Sequence, residues 1–179
     1  MYARITTLGI LAAVAVTAAW GSPQSFTLHS TGAVDLRATG KEARFGTVPD
    51  AIRGRPILMV SLGATAASGA LQLTTLADRP LGPGRYPIRS SWSELPADAV
   101  AFHAAFIPGS VEQPLGWYHG ETGTVTITEV GPDRLGGTFE VEARGFSAAD
   151  PLDEERWVTV RGSFAAVGDS TFARIAAVR

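Results

Sequence analysis

Apolar and polar residues alternate along much of this chain, and the alternation is cleanest in its last third. Gly123-Thr124-Val125-Thr126-Ile127-Thr128 leads into Val130-Gly131-Pro132-Asp133-Arg134, a turn signal. Gly137-Thr138-Phe139-Glu140-Val141-Glu142-Ala143-Arg144 follows, and then Trp157-Val158-Thr159-Val160-Arg161-Gly162-Ser163-Phe164. A period of two is that of a strand with one wet face, so this region predicts successive antiparallel strands. Val125, Ile127, Phe139, Val141, Val158, Val160 and Phe164 all fall on the apolar parity. They form the predicted core, because a one-residue slip of register would expose the whole set.

The earlier chain predicts further strands. Ser25 to Ser30 places Phe26 and Leu28 on one face. After the turn signal Thr31-Gly32, Val34 and Leu36 alternate with Asp35 and Arg37, which predicts an opening hairpin. A short strand is expected around Arg44 to Val48, and Pro49 to Pro56 reads as loop. Ile57-Leu58-Met59-Val60-Ser61-Leu62 is almost continuously apolar and predicts a central strand covered on both faces. Leu71, Leu73 and Thr75 continue as a strand. Arg85 to Arg89 is a short one whose Pro87 belongs on an edge or at a bulge, since proline cannot donate to a ladder. Between Val100 and Ile107 the bulky residues Phe102 and Phe106 share a parity, which favours strand over a rival helix from Pro96 to Phe106. Phe172 to Val178 is expected to be a final strand. The expected fold is an all-β antiparallel sandwich or flattened barrel of roughly nine to eleven strands.

Composition narrows the picture. The 179 residues include 20 Gly and 11 Pro, with 18% charged and 45% apolar, a balance that suits a turn-rich β protein able to bury a core. Basic residues number 15 and acidic ones 17, without a basic block, which argues against a nucleic-acid surface. The N-terminus reads as an export signal. Arg4 precedes an apolar stretch from Ile5 to Val16, and small residues permit cleavage before Ala19 or before Ser22. The stretch is shorter than the ~20 residues of a membrane span, so no retained span is expected. The division is then residues 1–21 as signal peptide and 22–179 as one β domain, secreted or periplasmic. With no Cys, the fold has no disulfide and no thiolate ligand, and no lipid can be attached through a thioether.

The three C-terminal strands resemble the C-terminal part of certain exported bacterial β proteins of uncharacterised function. Their pattern is a "G-T-hydrophobic-T-I-T" strand, a "G-T-F-x-F-x-A" strand and a "V-x-V-x-x-G-x-F" strand. Leu81-Gly82-Pro83-Gly84-Arg85-Tyr86 is similar to their "L-P-x-G-x-Y" turn. The match covers about a third of the chain. It implies an exported β domain and transfers no catalytic residue. Many such relatives are lipoproteins, from which this chain departs by lacking Cys.

Candidate chemistry is sparse. His29, His103 and His119 show no metal-ligand spacing, so a zinc site would need all three to converge across strands. Asp150-Pro151-Leu152-Asp153-Glu154-Glu155 offers oxygens for calcium but lacks the glycine and the alternating-aspartate spacing, and reads as a solvated hairpin tip. No Gly-x-Ser-x-Gly elbow occurs. A carboxylate pair on facing strands could serve a hydrolase, but nothing singles out two residues. No cofactor is expected. Trp92, Trp117, Tyr118 and Trp157 lie near strand ends, and Trp and Tyr offer flat apolar faces with one polar handle. Trp117-Tyr118-His119, flanked by Gly116 and Gly120, is expected to form a loop that binds a ligand or an envelope partner, with at least one of the two aromatics exposed. The expectation is a non-catalytic binding, structural or interaction module. The alternatives are a cell-envelope hydrolase and a carrier of a small apolar ligand.

Overall fold

The computed structural model describes residues 24–49, 55–63, 70–78, 80–90, 100–110, 113–148, 154–170 and 172. The signal segment, Trp92, residues 149–153 and the expected terminal strand beyond Phe172 lie outside them. The described residues form ten strands: β1 Ser25–Gly32, β2 Leu36–Gly40, β3 Ala43–Pro49, β4 Pro56–Leu62, β5 Ala70–Leu76, β6 Gly84–Arg89, β7 His103–Ile107, β8 Gly116–Val130, β9 Arg134–Ser147 and β10 Arg156–Gly168. The fold is all-β, as the alternation predicts.

Hydrogen bonding joins all ten strands into one sheet that folds over on itself. Six strands lie side by side in the order β2-β1-β10-β9-β8-β6, every neighbour antiparallel. The other four follow as β3-β4-β5-β7, also antiparallel. Short seams join the layers, one of them a parallel bridge of Ile88 on β6 to Phe102. At one corner β3 runs parallel to β10 over Arg44 to Val167 and Phe45 to Gly168. At the other, β7 meets β8 over Ala105 to His119 and Phe106 to Tyr118. The body is a flattened, sandwich-like arrangement with its core between the layers.

The predicted core is there. Val125, Ile127, Phe139, Val141, Val158, Val160 and Phe164 are all buried, and they pack in one cluster with Val60, Leu62, Leu71, Leu73 and Phe106 from the four-stranded layer. The opening hairpin also forms, with Phe26 and Leu28 buried and β2 at the outer end. Pro87 sits on β6, at the other end of the layer, where its carbonyl accepts from the Phe102 N–H at 2.9 Å and the ring nitrogen has no bond to donate. The turn before β6 closes on itself: the Tyr86 hydroxyl donates to the Gly82 carbonyl at 2.8 Å and accepts from the Gly82 N–H at 3.2 Å. Residues 100–107 are extended, not helical, and place Phe102, Ala104 and Phe106 inward.

β4 departs from expectation. Val60 and Leu62 are fully buried, but Ile57 and Met59 on the other parity are only half covered. The reason is layer number. Two layers cover one face of each strand, so a continuous apolar run does not by itself secure a second covering layer.

β8 bends from one layer to the other. Its first residues pair with β7, and from Thr122 onward the pairing passes to β6. The register against β9 shifts between Gly120 and Thr122, so Glu121 is the extra residue of a bulge. Gly123 follows at φ 143°, a conformation that a side chain would strain.

Candidate functional site

Trp117-Tyr118-His119 does not form a loop. All three residues belong to β8, which runs unbroken from Gly116 to Val130. The flanking glycines serve packing instead of chain reversal. Gly116, Tyr118 and Gly120 point inward on alternate positions, and a Cβ at Gly116 would stand 2.6 Å from the Tyr118 ring. At Gly120 a Cβ would stand 2.9 Å from that of Ala104. A small-large-small pattern thus lets one bulky ring fill the layer gap.

The strand separates the three nominated side chains. Tyr118 is fully buried, with its ring 6.3 Å from that of Phe106. Burial pushes its hydroxyl above the ordinary tyrosine value, and the nearby Ser147 hydroxyl and the charge of Arg156 partly offset this. Tyr118 therefore belongs to the core. Trp117 and His119 lie on the outer face with ring centroids 6.1 Å apart, and Trp117 is 51% exposed.

Other outer-face residues gather around these two. Trp117 is the direct cross-strand partner of Phe146 on β9, and His119 that of Arg144. Arg144 in turn faces Trp157 on β10, with its guanidinium carbon 5.9 Å from the indole centroid. Arg144 also forms ion pairs with Glu121 at 3.3 Å and with Glu155 at 3.0 Å. An open groove of about 570 Å³ runs between Trp117, Phe146, Arg144 and Glu155. Leu115, Trp117, Phe146 and Trp157 are four of the five exposed large apolar side chains among the described residues, and all four lie at this end of β8–β10. The fifth, Val130, is at the far end of β8.

The arrangement therefore has a firm centre and apolar flanks. Arg144 is held by two carboxylates and an indole face, which leaves its planar group fixed among aromatic surfaces. Arg144, Phe146, Glu121 and Glu155 carry no sequence motif. Phe146 alone leaves a trace: it occupies the wet parity of β9, after Glu140, Glu142 and Arg144, where a polar residue is expected.

The remaining candidates do not assemble into chemistry. His29 lies 3.7 Å from Asp35 at the surface. No group of three His, Cys, Asp or Glu among the described residues could hold a metal ion. Of the acidic segment, Glu154 and Glu155 are described, and each pairs with an arginine, at 3.7 Å to Arg156 and 3.0 Å to Arg144. Among the described residues no helix is long and apolar enough to cross a membrane. Comparison with protein-family models, with curated proteins and with solved structures gives no match to this chain.

Proposed function

We propose that this chain is an exported, non-catalytic β domain that acts by binding, as an interaction module of the cell envelope or the medium. Its contact surface is the outer face formed by Trp117, His119, Phe146 and Trp157 around Arg144. One observation carries this reading: the directly paired Trp117 and Phe146 stand exposed beside a Trp157 that faces Arg144. Contiguous exposed apolar surface is costly on a monomer without a use. Tryptophan and arginine are the residues that most often dominate binding energy when covered. A rigid three-stranded support reduces the ordering cost of binding. The open groove supports a binder over the hydrolase alternative, because the carboxylates beside His119 are engaged with Arg144. The export signal and the resemblance of β8–β10 to exported bacterial β domains support the location.

The test is co-purification from the native envelope and medium, with mass spectrometry of what stays bound. Wild type is compared with Trp117→Ala/Trp157→Ala and with Thr128→Ala, which changes an exposed residue at the other end of β8. A species retained by wild type and Thr128→Ala but lost from the double variant supports the reading. Equal retention by all three, or no retention by wild type, overturns it.

A further inference from the structure

A second site lies away from the aromatic face, where β3, β4 and β5 approach the β8–β9 turn. A cavity of about 210 Å³ is walled there by Phe45, Leu58, Leu76, Leu81, Val100 and Leu135. Three polar side chains break the apolar lining: Thr47, which is exposed on β3, Thr75 and Arg134. Thr75 is 2% exposed, and its hydroxyl has no hydrogen-bond partner among the described residues. Arg134 opens β9 at the rim and is exposed, with no ion pair among the described residues. Glu129 borders Arg134 only in a separate, smaller depression.

Thr75 and Arg134 are both hydrogen-bond donors and can serve the same kind of partner. A buried hydroxyl without a partner is costly, and native cores almost always satisfy such groups. A hydroxyl and a guanidinium can both donate to one anionic oxygen pair. Phe45, Leu58, Leu76, Leu81, Val100 and Leu135 offer apolar contact to the rest of a ligand. The volume is below that of pockets for drug-sized molecules, which run about 300–1,000 Å³. We infer that this cavity binds a small amphiphilic carboxylic acid, with its apolar body against the β3–β5 wall and its carboxylate served by Thr75 and Arg134. This site is independent of the aromatic face.

The probe is sodium octanoate, followed through the backbone amide shifts of the ¹⁵N-labelled protein. 1-Octanol supplies the same chain without charge, and sodium acetate the charge without the chain. Saturable shifts at Leu58, Leu76 and Leu135 are expected with octanoate, weaker ones with octanol and none with acetate. Thr75→Val keeps the side-chain volume, and its loss of one donor should weaken octanoate about tenfold, while Thr75→Ser retains binding. Arg134→Gln, an exposed change that leaves the core intact, should abolish the preference for octanoate over octanol. The inference is overturned if octanoate gives no saturable shifts there at millimolar concentration, or if its shifts centre on Trp117. It is equally overturned if octanol binds wild type as well as octanoate does, or if Thr75→Val binds undiminished.

Discussion

The ring of Phe139 lies over Gly162, its register partner across β9 and β10; a Cβ at Gly162 would stand 2.6 Å from Phe139 Cζ. The missing side chain on one strand is thus the space taken by the ring on the other, an aromatic covering a strand glycine. Truncating the ring and filling the space should both be damaging. Phe139→Ala is expected to cost about 3–5 kcal/mol. Gly162→Val should also destabilise, because its side chain meets both the ring and the Thr27 backbone. Urea melts measure both, and a loss below about 1 kcal/mol for Phe139→Ala would contradict the packing.

Trp117 and Trp157 are exposed to 51% and 54%, so both should be open to acrylamide. Trp117→Phe and Trp157→Phe should each lower the quenchable fraction of tryptophan fluorescence. An unchanged fraction in either variant would mean that the ring is covered and cannot serve a contact surface.

Arg144 connects two carboxylates and an indole at a half-exposed position. Such contacts contribute little to folding, so Arg144→Ala should lower stability by less than about 1 kcal/mol. A double-mutant cycle with Trp157→Ala should give a coupling of about 0.5–1 kcal/mol. A coupling near zero would show that the guanidinium does not rest on the indole in solution.

Tyr118 should leave its mark at alkaline pH. Its folded value is raised above 10.0 by burial, so the neutral phenol favours the folded state. That contribution is complete below the unfolded value and is lost as pH rises from about 10 through the folded value. Tyr118 should ionise above the ordinary tyrosine range in a spectrophotometric titration. Tyr118→Phe should flatten the fall of stability above pH 10. An identical alkaline profile in the variant would refute the assignment.

The export reading gives a direct expectation: N-terminal sequencing of material recovered outside the cytoplasm should begin between Ala19 and Ser22. Membrane-bound protein with an intact Met1 would overturn it.

Much of the fold was legible because alternation reports burial one strand at a time. Val125, Phe139 and Val160 needed only the period of two. The site was legible in part. Trp117 and His119 were found by residue type, but Gly116 and Gly120 were read as chain breakers when they make room for the Tyr118 ring. That distinction depends on what faces a glycine across the core, which is a long-range fact. Arg144 joined the site through its register with His119 and Trp157. Register between distant strands is set by the whole sheet, and no local window contains it. The hydroxyl of Thr75 looked like one more strand residue until its surroundings showed it without a partner among the described residues.

The pairing of β1 with β10 has a consequence in time. Phe26 lies beside Phe164, and Ser25 beside Ala165, so β1 has no neighbour on that side until β10, the last of the described strands, exists. Its other neighbour, β2, gives it only a hairpin, which is marginal in water on its own. The six-stranded layer therefore cannot be completed while the chain is still being made, and such non-local pairing is intrinsically slow. Until β10 arrives, Phe26 and Leu28 have only the β2 hairpin beside them, and the layer closes when it does.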